Sequence, residues 1–171
     1  MGKKADRQRA EPDREPRTQY AAIPWRKGEH GVEVLLLTSR ETRRWVLPKG
    51  WPIKGLKPGP SAAQEAFEEA GVSGHVTKKP VGLYHYDKRL RSGRLQHVRV
   101  QVFSLAVETE LDEFPEAGQR DKAWVLPAEA ALRVDEPELK TLLAGFRGKS
   151  ALRPSRGAGV GWRQGRRRPG R

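Results

Sequence analysis

The 171-residue chain contains no cysteine. That absence excludes disulfide bonds, thiolate metal sites and cysteine nucleophiles, and it fits a reducing cytoplasm, the compartment expected here. Long hydrophobic runs are also lacking. The longest aliphatic run is Val34 to Leu37, far below the roughly 20 apolar residues of a membrane-spanning helix, so no membrane association is expected. The first 17 residues are charged throughout and hold no apolar stretch of the kind a secretory signal requires.

Two further absences concern charge. The chain carries 34 Lys and Arg against 21 Asp and Glu, a net charge of +13. Residues 147–171 contain no acid and nine basic residues, and residues 1–18 carry a net +2, which leaves only +2 for residues 19–146. The basicity therefore belongs mainly to a tail. Its Gly/Pro/Arg-rich composition predicts disorder and either a solubilising extension or loose, salt-sensitive contact with nucleic acid or other acidic partners. The expected organisation is a disordered charged segment over 1–18, one folded domain over 19–146, and a disordered basic tail over 147–171. The second absence is internal: no Lys or Arg occurs between Lys57 and Lys78.

That cation-free stretch holds three glutamates. Ala62 to Ala70 consists of strong helix formers, Ser61 reads as an N-cap with Gln64 completing a capping box, and Gly71 stands where a left-handed C-cap is expected. Glu65, Glu68 and Glu69 then share one helix face, with Ala63, Ala66, Phe67 and Ala70 forming the opposite apolar stripe. Like charges at this spacing cost roughly 0.2–0.5 kcal/mol per pair, and proximity to the negative end of the helix dipole adds roughly 0.3–1 kcal/mol. A divalent cation, Mg²⁺ or Mn²⁺, prefers oxygen ligands and would reverse both penalties. A solvated acidic face is the plainer reading of such a helix in isolation.

The preceding residues shift that balance. The apolar run Arg44-Trp45-Val46-Leu47-Pro48 enters a Lys/Gly/Pro loop, Lys49-Gly50-Trp51-Pro52 to Lys57-Pro58-Gly59-Pro60. Gly50 and Gly55 have the spacing of a phosphate-binding P-loop, but Leu56-Lys57 follows where Lys-Ser/Thr is required, which excludes that motif. The stretch Gly50 to Val72 instead resembles the signature box of the Nudix hydrolases. Gly50, Glu65, Ala66, Glu68, Glu69, Gly71 and Val72 match its pattern; Leu56 replaces a Glu and Gln64 an Arg, two positions that the resemblance treats as a structural ion pair. The likeness runs over residues 19–146. Its lead-in strands, with Pro48-Lys49-Gly50, look like the diphosphoinositol polyphosphate and diadenosine polyphosphate hydrolase branch, and Glu110 to Glu116 and Arg120 to Trp124 fit the branch's C-terminal half.

The resemblance implies an α/β fold, a Nudix-type α/β/α sandwich with a mixed central sheet. It also implies Mg²⁺-dependent hydrolysis of a phosphoanhydride in a phosphorylated small molecule, a nucleoside- or inositol-linked diphosphate or polyphosphate, with Mn²⁺ as a possible substitute. Glu65 and Glu69 are the implied metal ligands, with the carbonyl of Gly50. Glu68 is the implied general base, Glu65 has a share in catalysis, and Glu113 or Glu116 is the alternative base. The alternatives are a non-catalytic binding module of the same fold and a nucleic-acid-associated protein acting through its tail.

From the residues themselves, Lys49, Arg40, Arg44 and Lys54 are the candidate substrate cations, with Arg43 and Lys57 close by and Lys88, Arg89, Arg91 and Arg94 on a later hairpin. His85 and His97 read as packing or surface residues. The patterning predicts strands at Tyr20–Trp25, Val32–Thr38, Arg44–Leu47, Val76–Tyr86, Leu95–Val107 and Trp124–Leu126. A helix is predicted to start at Pro127, and another over Glu136–Phe146 with Asp135 as its cap.

Overall fold

The computed structural model describes residues 16–148. The expectations for residues 1–15 and 149–171, most of the two terminal segments, lie outside the described residues.

The alternation of side chains along the strands sets the architecture. In β2 (Gly31–Thr38), Val34 and Leu36 join one buried cluster while Leu35 and Leu37 join another. β1 (Arg17–Gly28) does the same, with Ala21 and Ile23 on one side and Ala22 on the other. A strand that alternates between two apolar clusters must be covered on both faces. β1 and β2 close through a two-residue loop, Glu29-His30. Short strands β3 (Trp45–Val46) and β4 (Lys49–Gly50) follow, then helix α1 (Pro58–Ala70), β5 (Val72–Val76), β6 (Gly82–Arg89), β7 (Leu95–Glu110), β8 (Lys122–Val125), α2 (Pro127–Arg133) and α3 (Pro137–Ala144).

The eight-stranded sheet runs β3-β2-β1-β7-β5, with β4 also beside β1, β6 beside β7 and β8 beside β2. The β1–β7 pair is parallel and the other pairs are antiparallel, so the sheet is mixed. α1 lies on one face, where Ala62, Ala66 and Ala70 meet Ala22, Leu35, Leu37, Phe103 and Leu105. α2 and α3 cover the other, where Ala130, Leu139 and Leu143 meet Ile23, Leu36, Tyr84 and Val100. The expected α/β/α sandwich is the observed one. Full burial of each Leu, Ile or Phe in these layers contributes about 1.5–3 kcal/mol. No helix among the described residues is long and apolar enough to cross a membrane.

Four local expectations are corrected. α1 starts at Pro58 with Lys57 at its N-cap, so Ser61 is not a cap. Ser61 is instead fully buried within the first turn, and its Oγ accepts the Ile53 N–H at 3.2 Å. Pro58 explains the earlier start, since proline's fixed φ suits the first helical position. The acidic and apolar faces of α1 are not opposite either. Ala62, Ala66 and Ala70 are buried, Ala63 and Phe67 only half-buried, and Glu69 is 8% exposed. Seven residues fall about 20° short of two helical turns, so Glu69 sits almost in line with Ala62 and faces inward.

The predicted Val76–Tyr86 strand divides into β5 and β6 around Lys78-Lys79-Pro80, where proline cannot extend a ladder. Finally, the cap of α3 is Glu136, not Asp135, because Pro137 takes the first helical position. Gly71 is left-handed as expected, with φ +71°, and its N–H bonds the Phe67 carbonyl.

Candidate metal and phosphate site

β4 pairs with β1 through Tyr20↔Gly50 and Ala21↔Lys49, which fixes the start of the loop against the sheet. The Ile53–Ser61 hydrogen bond ties the loop to α1. As a result Gly50 lies directly against Glu65. A Cβ built on Gly50 would stand 2.3 Å from Glu65 Cδ and Oε1, so the carboxylate occupies the space that any side chain here would need. One turn on, Glu69 Oε2 accepts the Lys49 backbone N–H at 3.4 Å. Glu68 points along the helix, where Gln64 Nε2 donates to its Oε1 at 3.0 Å.

Burial and mutual repulsion govern this face. Desolvation pushes the Glu69 carboxyl up to about 7, against the pull of Arg120 and Lys49. Desolvation also raises Glu65, with Glu68 and Glu116 adding to the effect. Desolvation lowers the Lys49 ammonium to about 8, despite the neighbouring carboxylates of Glu69 and Glu136. The Lys49 Nζ lies 5.2 Å from the centre of the Tyr86 ring, whose hydroxyl donates to Gln19 at 2.6 Å.

The loop between β7 and β8 completes the site. The Glu116 N–H donates to the Glu68 carbonyl at 3.0 Å and docks the loop on the end of α1. Glu116 reaches the acidic face, whereas Glu113 is exposed. Arg120 Nη2 stands 3.6 Å from Glu69 and 3.4 Å from Glu116, with a side chain only 10% exposed. Lys122 Nζ donates to the Ala70 carbonyl at 2.8 Å, supplying a cation at the negative end of a helix whose own last turn has none. Sequence reasoning missed Arg120 and Lys122 as members of this site. They lie some fifty residues downstream, and no local pattern marks them.

The other candidate residues separate into two groups. Arg40 reaches the site, with Nη1 3.4 Å from Glu116 and 3.2 Å from Gln119, while remaining exposed. Arg44 is engaged elsewhere, in a 2.7 Å contact with Glu136 and a 3.6 Å contact with Asp135. Lys54 is exposed in the loop, and Arg91 and Arg94 are exposed at the β6–β7 turn. His85 and His97 stack with ring centres 5.6 Å apart and pair with Glu138 and Asp87. The two positions that depart from the box pattern, Leu56 and Gln64, line one shallow depression with Phe67, Ala63 and Val76. No charge is left without its old partner there.

Among the described residues, no three His, Cys, Asp or Glu side chains converge into a metal-holding group. The donor set nevertheless suits a hard cation. It consists of carboxylate oxygens, and Glu65 is pressed against the Gly50 backbone in a space kept open by the missing Cβ.

No family model matches the chain. It is 30% identical over 102 residues to Nudix hydrolase 12, mitochondrial, of Arabidopsis thaliana, a match covering 58% of this chain and 50% of that protein. It is 31% identical over 125 residues to diphosphoinositol polyphosphate phosphohydrolase 2 of Rattus norvegicus, covering 71% of this chain and 65% of that one. The chain thus spans about half the length of the first relative. Among solved structures, the C. elegans Ap4A hydrolase matches with a TM-score of 0.53 at 21% identity, covering 76% of this chain and 95% of that one, a likeness of fold. With its box residues, its mixed sheet between helical layers and these relatives, the chain belongs to the Nudix hydrolase superfamily.

Proposed function

We propose that this chain is a Mg²⁺-dependent pyrophosphohydrolase that cleaves a phosphoanhydride in a nucleoside- or inositol-linked diphosphate or polyphosphate, with Mn²⁺ able to substitute. The observation that carries this reading is the contact of the Glu65 carboxylate with the Gly50 backbone, one helical turn from the inward-facing Glu69. Similarity to diphosphoinositol polyphosphate phosphohydrolase 2 supports the substrate class.

In this mechanism Glu65, Glu69 and the Gly50 carbonyl would hold the metal. When bound, the cation neutralises polyphosphate charge and lowers the pKa of coordinated water. Glu69 is costly to ionise in the bare protein, so positive charge beside it favours its carboxylate form. Glu68, oriented by Gln64, takes the proton of the attacking water, and Glu116 lies near enough to share that task. Lys49 and Arg40 flank the acidic face and neutralise the substrate's outer phosphates, and Lys54 adds positive charge from its exposed place in the loop; Arg44 reaches a phosphate only by loosening its pair with Glu136. Steady cation placement of this kind stabilises charge as the leaving phosphate departs.

The test is a phosphate-release screen over diphosphoinositol polyphosphates, diadenosine polyphosphates, nucleoside di- and triphosphates and capped RNA, with Mg²⁺ and with Mn²⁺. Glu68→Gln and Glu69→Gln are each expected to keep the fold and to cut turnover by roughly 10²-fold or more. Wild-type rates for both variants on a cleaved substrate would remove the assignment.

A further inference from the structure

Arg120 is the one cation within 4 Å of Glu69 among the described residues. It comes from a loop, not from the box, whose usual arginine position is occupied by Gln64. Gln64 gives its amide to Glu68, which leaves Glu69 to Arg120. The guanidinium has three partners: Glu69 Oε1 at 3.6 Å and Glu116 Oε1 at 3.4 Å from Nη2, and the Thr38 carbonyl at 3.3 Å from Nη1. Its Nε is buried and makes no hydrogen bond.

These distances exceed the 2.7–2.9 Å of a good charge-assisted hydrogen bond. Arg120 is therefore held at the acidic face chiefly by charge, with one donor unmet. Such a contact balances the carboxylates without locking them. The other oxygen of Glu69 is turned to the Lys49 amide, so Oε1 is the oxygen left to a cation, and the guanidinium stands beside it. Two positive charges crowded into that partly buried space would repel strongly.

We infer that Arg120 holds the electrostatic place of the divalent ion, so that cation binding is an exchange in which the guanidinium releases Glu69 while Glu116 and the Thr38 carbonyl keep it tethered. The inference rests on the reading of this face as a cation site. Arg120 is then a positioning residue that acts through Glu69: it balances the carboxylate's charge before the cation arrives, and so sets the affinity that the cation must overcome. Arg40 cannot take its place, because it meets Glu116 from the exposed side and makes no contact with Glu69.

The test measures Mn²⁺ uptake by the full chain without substrate, from the electron paramagnetic resonance signal of free Mn²⁺. Arg120→Gln removes the competing charge and is expected to tighten binding by roughly tenfold or more, whereas Arg120→Lys keeps the charge and stays within about threefold of wild type. A purely structural role predicts the opposite sign, since loss of the tether would splay the carboxylates. Unchanged or weaker Mn²⁺ binding by Arg120→Gln overturns the inference. Should that variant not fold, the Arg120 Nε–H resonance of the wild-type chain is followed during Mg²⁺ titration. It is expected to shift in step with the Glu69 carboxyl signal, and an unmoved resonance at saturation overturns the exchange. A wild-type chain that takes up neither ion sinks the cation reading and the exchange together; cation binding indifferent to Arg120 sinks the exchange alone.

Discussion

Gly50→Ala isolates the geometry on which the site depends. Gly50 is not among the glycines with positive φ, so alanine meets no backbone strain there. The whole perturbation is steric. The new Cβ would lie 2.3 Å from both Cδ and Oε1 of Glu65, and ordinary contact needs at least 3.4 Å, so the carboxylate must retreat by more than 1 Å. Glu65 is half-buried on a stable helix and can swing outward by changing rotamer, which costs about 0.5–1.5 kcal/mol. Thermal stability should therefore fall only slightly. Function should not be spared, because a misplacement of about 1 Å is worth roughly 10²-fold in rate. The assay pairs a thermal melt with Mn²⁺ titration and phosphate release on whichever substrate is cleaved. Expected is a near-native melt, weakened Mn²⁺ binding and turnover lowered by about 10²-fold. A well-folded Gly50→Ala chain with native Mn²⁺ affinity and turnover would show that Glu65 and the Gly50 backbone do not act together.

Other outcomes follow from neighbouring parts of the structure. Gly71→Ala places a side chain at φ +71° and 2.3 Å from Phe114 Cδ1, so it should cost more than about 1 kcal/mol in urea unfolding; a smaller loss would mean that the Phe114 loop yields easily. Arg44→Met leaves the Glu136 carboxylate buried with one oxygen already unmet, and a loss of about 2 kcal/mol is expected, discounted because Arg44 is one-third exposed. Glu136→Gln in the same background should recover part of it, and no recovery would refute the pairing. In metal-free protein, Glu69 binds its proton more tightly folded than unfolded, so stability should fall as pH rises from 4.5 to about 7. Lys49 acts with the opposite slope above about 8, where the folded amine has lost the proton that the unfolded chain retains. Urea unfolding in chelator should show a shallow minimum between these values, and Glu69→Gln should flatten its acid limb, leaving the smaller part that the raised Glu65 contributes; a limb that persists unchanged would exclude Glu69 as a source.

The legible parts of this protein were those written in local periodicity. The apolar run Val34 to Leu37 marked the strand predicted over Val32–Thr38, although only the two buried clusters show it covered on both faces, and the helix ending at Gly71 was readable because a left-handed residue there needs glycine. At two helix starts proline overrides a capping side chain: Pro58 sets the start of α1 ahead of Ser61, and Pro137 places the cap of α3 at Glu136. Spacing along α1 groups its residues into faces but does not orient them. Which side of α1 faces inward is decided by the sheet beneath it, and that sheet turns Glu69 inward beside its alanines.

The sequence by itself determined the glutamates, their spacing, and the absence of any Lys or Arg between Lys57 and Lys78, because these are properties of neighbouring positions along the chain. It suggested a face without cations. Only the tertiary structure decided otherwise. Arg120 and Lys122 are delivered to that face by a loop docked through the Glu116–Glu68 hydrogen bond, and Lys49 by a strand paired with β1. Electrostatic attraction acts through space and falls with distance, so the partners of a charge are set by how the chain folds back, not by where they stand along it.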